Sequence, residues 1–107
     1  MSEWVKVAKT DNLKPGECKV VDIDEVMVAV YNIDGNYYAI EDTCTHDGGE
    51  LATGPIEGDE VICPRHGARF CIKTGEALTA PAYEDVDRYA VRVQDNVIQV
   101  ASEPEDE

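Results

Sequence analysis

The chain has 107 residues, a length that suits one domain and leaves no room for a second hydrophobic core. Hydrophobic residues make up 43% and charged residues 30%, which indicates a small globular protein rather than a disordered or fibrous one. Nine Lys and Arg against 23 Asp and Glu leave a formal charge of -14, which repels nucleic-acid phosphates and anionic lipids. The composition therefore excludes large multidomain enzymes and argues against nucleic-acid and membrane partners.

Short stretches of strand length recur along the chain, each alternating apolar and polar residues or rich in β-branched and aromatic residues. Seven of them predict strands, at residues 4–7, 18–21, 26–31, 37–40, 60–63, 89–93 and 97–100. Asp34-Gly35 and Asp95-Asn96 predict two-residue hairpin turns between neighbouring strands. No stretch of ten or more residues combines a helical apolar period with a capping residue and a glycine stop. The pattern predicts an all-β fold.

Two long segments, residues 42–58 and 64–83, interrupt the strand pattern, and each contains glycine and lies beside a cysteine. Loops of this length bury little apolar surface of their own, so a bound metal centre would serve to hold them. The acidic tail at about residues 102–107 is too highly charged to pack, and we expect it to be frayed.

The cellular compartment is inferred from the start of the chain and from cysteine usage. Residues 1–11 have no apolar stretch of signal-peptide length, and no run elsewhere approaches the ~18 apolar residues that span a bilayer. We therefore expect a cytoplasmic protein. Four cysteines could form two disulfides, but without a secretory signal a reduced set, buried or metal-binding, is favoured.

Two short motifs combine cysteine with histidine. Cys44 and His46 form a C-x-H motif, and after sixteen intervening residues Cys63 and His66 form a C-x-x-H motif. Thiolate and imidazole are ligands that iron and zinc share. Zinc sites usually pair like ligands within one motif, whereas a mixed pair suits a two-iron cluster with two thiolates on one iron and two imidazoles on the other. A structural zinc-binding module remains the alternative.

These motifs and their surroundings resemble the Rieske-type 2Fe-2S ferredoxins, the small electron carriers of bacterial multicomponent oxygenases. The similarity runs nearly end to end and is strongest at CTHDGGE (44–50) and CPRHGARF (63–70). The stretch at 75–81 is similar to the family's proline-containing third loop over the cluster. The resemblance implies a single Rieske domain over residues 1–107, built from three antiparallel sheets with cluster-binding loops at about 42–83.

The resemblance also implies the cofactor and its ligands. One Rieske 2Fe-2S cluster is expected, with Cys44 and Cys63 on the inner iron and His46 and His66 on the outer iron. Imidazoles in place of thiolates lower the negative charge at one iron, so its potential rises above that of four-cysteine ferredoxins. A histidine ligand at the surface would give the electron a short exit route.

Departures from the respiratory Rieske proteins predict a low potential within the class. Those proteins carry a disulfide whose positions are occupied here by Gly49 and Arg65, and hydroxyl donors at the positions of Ala68 and Phe70. Fewer hydrogen bonds to the cluster destabilise its reduced form. We predict a midpoint potential of about -150 mV, at the low end of the Rieske range.

The implied function is that of a soluble one-electron carrier between a flavin-containing NAD(P)H reductase and a terminal oxygenase, such as a ring-hydroxylating dioxygenase. The chain is not expected to be an enzyme, because a mononuclear oxygenase iron needs further histidines once His46 and His66 are used. A monomer suits a shuttle with two successive partners. The small subunit of an assimilatory nitrite reductase is the alternative of similar fold and length.

Charge is distributed unevenly near the motifs. Residues 41–62 hold seven acids and no Lys or Arg, whereas Arg65, Arg69 and Lys73 follow with no acid among them. We expect opposite patches around the site, with the acidic one steering a basic partner surface. The remaining cysteines, Cys18 and Cys71, are expected to be buried small hydrophobic residues rather than ligands.

Overall fold

The computed structural model describes residues 3–43, 50–52, 54–64, 67–80 and 84–104. These residues form nine strands and one short 3-10 helix at Thr10–Asn12. The strands are β1 (Trp4–Lys9), β2 (Cys18–Ile23), β3 (Val26–Ile33), β4 (Asn36–Glu41), β5 (Ile56–Glu57), β6 (Glu60–Ile62), β7 (Arg69–Cys71), β8 (Arg88–Gln94) and β9 (Val97–Pro104). The predicted all-β fold is confirmed. Over the described ranges, no helix combines the length and apolar character needed to cross a bilayer.

The strands form a large and a small antiparallel sheet. The large sheet has six strands in the order β1-β9-β8-β4-β3-β2, and the small one has three in the order β5-β6-β7. Two residue pairs, Ala39 with Tyr89 and Ile40 with Arg88, connect the two three-stranded halves of the large sheet. The antiparallel sheets are as expected, but this short β4–β8 ladder joins two of the three expected sheets, so the described strands form two.

Three two-residue hairpin turns set the register of the large sheet. Both central residues of each turn have positive φ: Asp24 and Glu25 (51° and 73°), Asp34 and Gly35 (53° and 90°), and Asp95 and Asn96 (54° and 63°). Such turns match the twist of the strands that they connect. The second and third turns confirm the predicted hairpins. The first was not predicted, because glutamate rarely adopts this conformation.

β3 is buried on both faces and separates two hydrophobic clusters. Val28 and Val30 point into a cluster enclosed by the large sheet, with Ile98 and Val100 of β9. The alternate residues Ala29 and Tyr31 belong to a second cluster shared with the small sheet and its loops. The strand period of two therefore makes β3 the common wall on which the loop-bearing subdomain is mounted.

The structure differs from the predicted pattern in short elements and at the tail. β5 and β7 lie inside the two predicted loops, and with two and three residues they are too short to show a period of two. β9 continues to Pro104, and the Ser102 N–H donates to the Glu3 carbonyl at 2.8 Å. The start of the predicted tail, residues 102–104, is thus part of β9 and is bonded to Glu3, which directly precedes β1. Residues 105–107 lie outside the described ranges.

Candidate metal centre

One of the four predicted ligands, Cys63, lies among the described residues, whereas Cys44, His46 and His66 lie outside them. Cys63 follows β6 directly, is 1% exposed and packs in the cluster that contains Phe70. Among the residues that the structure describes, no group of three or more His, Cys, Asp and Glu side chains could hold a metal ion. The structure therefore describes the site at the ends of its loops, which we call the loop necks.

The second-loop neck, formed by Cys63, Gly67 and Ala68, is closed by backbone hydrogen bonds. The Cys63 N–H donates to the Ala68 carbonyl at 2.7 Å, and the Gly67 N–H donates to the Cys63 carbonyl at 3.0 Å. Gly67 has φ of +76°, a conformation that favours glycine. The chain that leaves at Cys63 thus returns to the same point within five residues and continues into β7.

The first-loop neck, formed by Asp42, Leu51 and Ala52, is closed by a side chain. The Asp42 Oδ1 accepts hydrogen bonds from the backbone N–H groups of Leu51 and Ala52, each at 2.7 Å. Asp42 is only 5% exposed, and Leu51 is fully buried. This role was not predicted, because Asp42 lies in an acidic segment and was expected to contribute to a charged patch. The sequence carries no signal for this role, because the partners of Asp42 are backbone N–H groups.

The two necks are neighbours because the chain after Ala52 packs against β6. A Cβ on Gly54 would overlap the Ile62 carbonyl oxygen, so only glycine allows this close approach. The Ile62 N–H donates to the Pro55 carbonyl at 2.9 Å. Ile62 immediately precedes Cys63, so the end of the loop that carries the C-x-H motif lies beside the start of the loop that carries the C-x-x-H motif.

A third loop is closed between Gly75 and Val86, beside the other two. Gly75 has φ of +81°, a Cβ there would overlap the Val86 carbonyl oxygen, and the Val86 N–H donates to the Gly75 carbonyl at 2.9 Å. The Leu78 N–H donates to the Arg69 carbonyl at 2.8 Å, which ties this loop to β7. This loop includes residues 75–81, the stretch that is similar to the family's proline-containing third loop. Pro81 lies outside the described residues.

Two titratable side chains lie beneath the first-loop neck, on paired positions of β2 and β3. The half-buried Cys18 Sγ donates to the Ala52 carbonyl at 3.4 Å, and burial together with nearby Asp42 raises the pKa of this thiol. Tyr31 is fully buried, and its hydroxyl has no hydrogen-bond partner within the described residues. Burial, followed by the proximity of Cys18 and Asp42, raises the pKa of Tyr31 far above its ordinary value. Through its hydrogen bond to the Ala52 carbonyl, Cys18 supports the first-loop neck.

The expected separation into acidic and basic patches is wrong for the small sheet. Arg69 Nη1 lies 3.0 Å from Glu57 Oε1 and 3.2 Å from Glu60 Oε1, and Lys73 Nζ lies 3.8 Å from Asp59 Oδ2. The antiparallel register of β5, β6 and β7 brings segments of opposite charge side by side. Acids and bases that are separate along the sequence are therefore paired in space, while Arg65 lies outside the described residues.

The residues present fit a Rieske cluster. The sequence supplies two thiols and two imidazoles in two loops whose necks are adjacent, and two sulfur and two nitrogen ligands are what such a cluster requires. Ala68 in the second-loop neck and Phe70 just beyond it are fully buried, and neither can offer a hydroxyl hydrogen bond. An all-β domain in which two loops, each with one Cys and one His, adjoin a small three-stranded sheet is typical of one class of iron–sulfur protein.

Comparison with known proteins identifies the family. The profile of the Rieske [2Fe-2S] domain matches residues 3–90, so the chain belongs to the Rieske [2Fe-2S] domain family, and the expectation of one Rieske 2Fe-2S cluster is confirmed. The ferredoxin component of the naphthalene 1,2-dioxygenase/salicylate 5-hydroxylase systems of a Ralstonia species is 31% identical over 94% of this chain and 96% of its own length.

Solved structures agree with this assignment. A chain from a complex of reduced oxygenase and oxidized ferredoxin in carbazole 1,9a-dioxygenase superposes with a TM-score of 0.92, at 33% identity over 97% of both chains. A Mycobacterium tuberculosis structure described as an NADH-dependent nitrite reductase small subunit gives a TM-score of 0.84 at 26% identity, over 94% of this chain and 96% of its own. The alternative expected from sequence thus shares the fold at lower sequence identity.

Proposed function

We propose that this protein is a one-electron carrier, a ferredoxin that receives electrons from a flavin-containing NAD(P)H reductase and delivers them to a terminal oxygenase such as a ring-hydroxylating dioxygenase. The near end-to-end match to proteins named as ferredoxin components carries the proposal. A structural relative named as part of an oxygenase–ferredoxin complex supports an oxygenase as the acceptor. On this proposal the protein is a system component that does not itself catalyse a reaction, and it acts as a monomer in the cytoplasm.

We assign Cys44, His46, Cys63 and His66 as the cluster ligands, with the cysteines on the inner iron and the histidines on the outer iron. The spacing of the two motifs and the adjacent loop necks support this assignment, as does the burial of Cys63 at 1% exposure. A bound Rieske cluster takes up and releases one electron. We further propose that residues 1–107 form a single Rieske domain.

The protein's own contribution is to hold and shield the ligands. The backbone hydrogen bonds of the second-loop neck fix Cys63 at the end of β6, and the buried Phe70 and Ala68 exclude water from the inner side of that neck. A rigid ligand shell keeps the geometry similar in both oxidation states, which favours rapid transfer between partners. Apolar residues beside the cluster also favour a low potential, which we place at about -150 mV.

Metal analysis and spectroscopy of the purified protein test the cofactor assignment. Two irons and two labile sulfides per chain, with a low average g in the electron paramagnetic resonance spectrum after dithionite reduction, are expected. Cys63→Ser should abolish cluster binding, whereas Cys71→Ser, a matched change at a half-buried cysteine, should retain it. A protein with one zinc and no sulfide after anaerobic preparation would contradict the proposal.

Electron transfer is tested with a flavin reductase and an aromatic-ring dioxygenase that lacks its own ferredoxin. Product formation should depend on the presence of this protein and on an intact cluster. Failure of the loaded protein to accept electrons from any flavin reductase would contradict the carrier role. A midpoint potential well above zero would contradict the predicted hydrogen-bonding pattern around the cluster.

A further inference from the structure

The carboxylate that closes the first ligand loop is itself rigidly mounted. The Asp42 N–H donates to the Met27 carbonyl at 2.8 Å, immediately beyond the β3–β4 ladder. The Thr43 N–H donates to the Glu41 carbonyl at 2.9 Å, so the chain turns sharply at this point. The position of the Asp42 side chain is therefore set by the large sheet rather than by the loop that it closes.

The groups that Asp42 binds are anchored on the opposite side by the second-loop neck. Leu51 is fully buried in the cluster that contains Cys63 and Ala68. The Gly54 N–H donates to the Leu51 carbonyl at 2.9 Å, and Gly54 packs directly on the Ile62 carbonyl. A single carboxylate thus connects the large sheet with the chain segment that lies against β6.

The two hydrogen bonds to Asp42 are of a strong type. Both N···O distances are 2.7 Å, short for N–H donors, and the acceptor is a carboxylate in a site from which water is nearly excluded. Without them, two buried or half-buried N–H groups would lose their acceptor at the point where the first loop returns. Loss of such a buried bond lowers stability more than loss of an exposed bond, because water cannot fully replace the lost partner.

We infer that Asp42 is a positioning residue for the cluster. Its carboxylate holds the first loop closed, so that Cys44 and His46 stay within reach of the second loop. The inference rests on the proposed function, because it takes these two residues as cluster ligands. It deepens that function by assigning a role to a side chain outside both ligand motifs.

Two variants of the cluster-loaded protein test this role. Asp42→Ala removes the acceptor, whereas Asp42→Asn retains a weaker, neutral one. We expect Asp42→Ala to release the cluster at least tenfold faster than wild type in the presence of an iron chelator, followed by loss of visible absorbance. We expect Asp42→Asn to show a smaller increase, about threefold, and to retain the wild-type g values that Asp42→Ala shifts or broadens. Hydrogen exchange of residues 50–54, followed by mass spectrometry, should be fastest in Asp42→Ala.

Asp22 provides the matched control. Its Oδ1 accepts a hydrogen bond from the Glu25 N–H at 2.9 Å in the β2–β3 turn, so Asp22→Ala and Asp22→Asn make the same chemical changes away from the first-loop neck. Both controls should release the cluster at the wild-type rate. Wild-type release from Asp42→Ala, or equal acceleration by the Asp22 variants, would overturn the inference. If Asp42→Ala does not fold, a wild-type release rate in Asp42→Asn overturns it instead.

The outcome also separates this inference from the proposed function. A wild-type protein that binds no 2Fe-2S cluster would refute the proposed function directly. A loaded wild-type protein whose Asp42 variants behave like the Asp22 controls would leave the electron-carrier role intact and refute the positioning role alone.

Discussion

The first-loop neck and the second-loop neck are closed by different chemistry. The first-loop neck depends on the Asp42 side chain, with Leu51 as a buried anchor and Gly54 in direct contact with β6. The second-loop neck is closed by hydrogen bonds between the backbone groups of Cys63, Gly67 and Ala68. A side-chain closure can be removed by one substitution that leaves the backbone unchanged, whereas a backbone closure is lost only when the chain path itself changes. The first loop is therefore the more sensitive of the two to single substitutions.

The largest effect is expected at the anchor of the first-loop neck. Leu51→Ala removes a fully buried side chain from the cluster beneath the loops and should lower the free energy of unfolding by about 3 kcal/mol. Leu78→Ala is the matched control, because Leu78 is 41% exposed and its truncation should change stability by no more than about 0.5 kcal/mol. Urea unfolding of the two variants measures both values. Equal losses would contradict the special role of the first-loop anchor.

The same ranking is expected for two glycines, Gly54, which follows the first-loop neck, and Gly67, which is part of the second-loop neck. Gly54→Ala forces a Cβ into the Ile62 carbonyl, so the backbone must move, and we expect a loss of about 2–3 kcal/mol. In Gly67→Ala the added Cβ meets no atom of the described residues within 4 Å, so the positive φ is what opposes the change there, at a cost of about 1 kcal/mol. Chemical denaturation of both variants compares the two costs. A larger loss at Gly67 would reverse our ranking of the necks.

Tyr31, beneath the first-loop neck, should make stability sensitive to alkaline pH. Because the fold raises the pKa of Tyr31 above its ordinary value of 10.0, the unfolded chain releases this proton first, and stability falls as pH rises above 10. The contribution of one such group approaches ~1.4 kcal/mol per pH unit. Tyr31→Phe should flatten the alkaline loss while changing stability at pH 7 by about 1 kcal/mol or less, since the hydroxyl has no partner among the described residues. Parallel pH profiles for both proteins would contradict this.

The smallest effect is expected beyond the second-loop neck. The Arg69 N–H donates to the Thr79 Oγ1 at 3.0 Å, and this exposed bond links β7 with the third loop. Thr79→Val removes the acceptor but lets water reach the donor, so the loss should be about 0.5 kcal/mol. Thr79→Ser retains the hydroxyl and should match wild type in thermal unfolding. A loss comparable to that of Leu51→Ala would show that side chains support this region as strongly as the first-loop neck.

The sequence predicted features that depend on local chemistry. Asp34-Gly35 and Asp95-Asn96 carry residues that adopt positive φ readily, so their hairpins were recognisable, whereas Glu25 in the same conformation was not. The C-x-H and C-x-x-H motifs pointed to the Rieske [2Fe-2S] domain family from residue types and spacing alone, and the family match over residues 3–90 confirms that assignment.

Features that depend on tertiary register could not be predicted. The ion pairs of Arg69 with Glu57 and Glu60 exist because β5, β6 and β7 pair antiparallel, and two of these strands are too short to recognise. The role of Asp42 is hidden for a different reason. Its partners are backbone N–H groups, which every residue except proline supplies, so the residues at positions 51 and 52 carry no mark of the interaction.

The pairing of β1 with β9 has a consequence for how the chain acquires its structure. Trp4 pairs with Ala101 and Lys9 pairs with Val97, so the first described strand has the last as its partner in the sheet. At a synthesis rate of roughly 5–20 residues per second, β1 emerges several seconds or more before β9 exists. During that time its hydrogen-bonding edge and its apolar residues have no sheet to join. The large sheet can be completed only after synthesis has reached β9, and a chain interrupted before that point would expose β1 to chaperones and proteases.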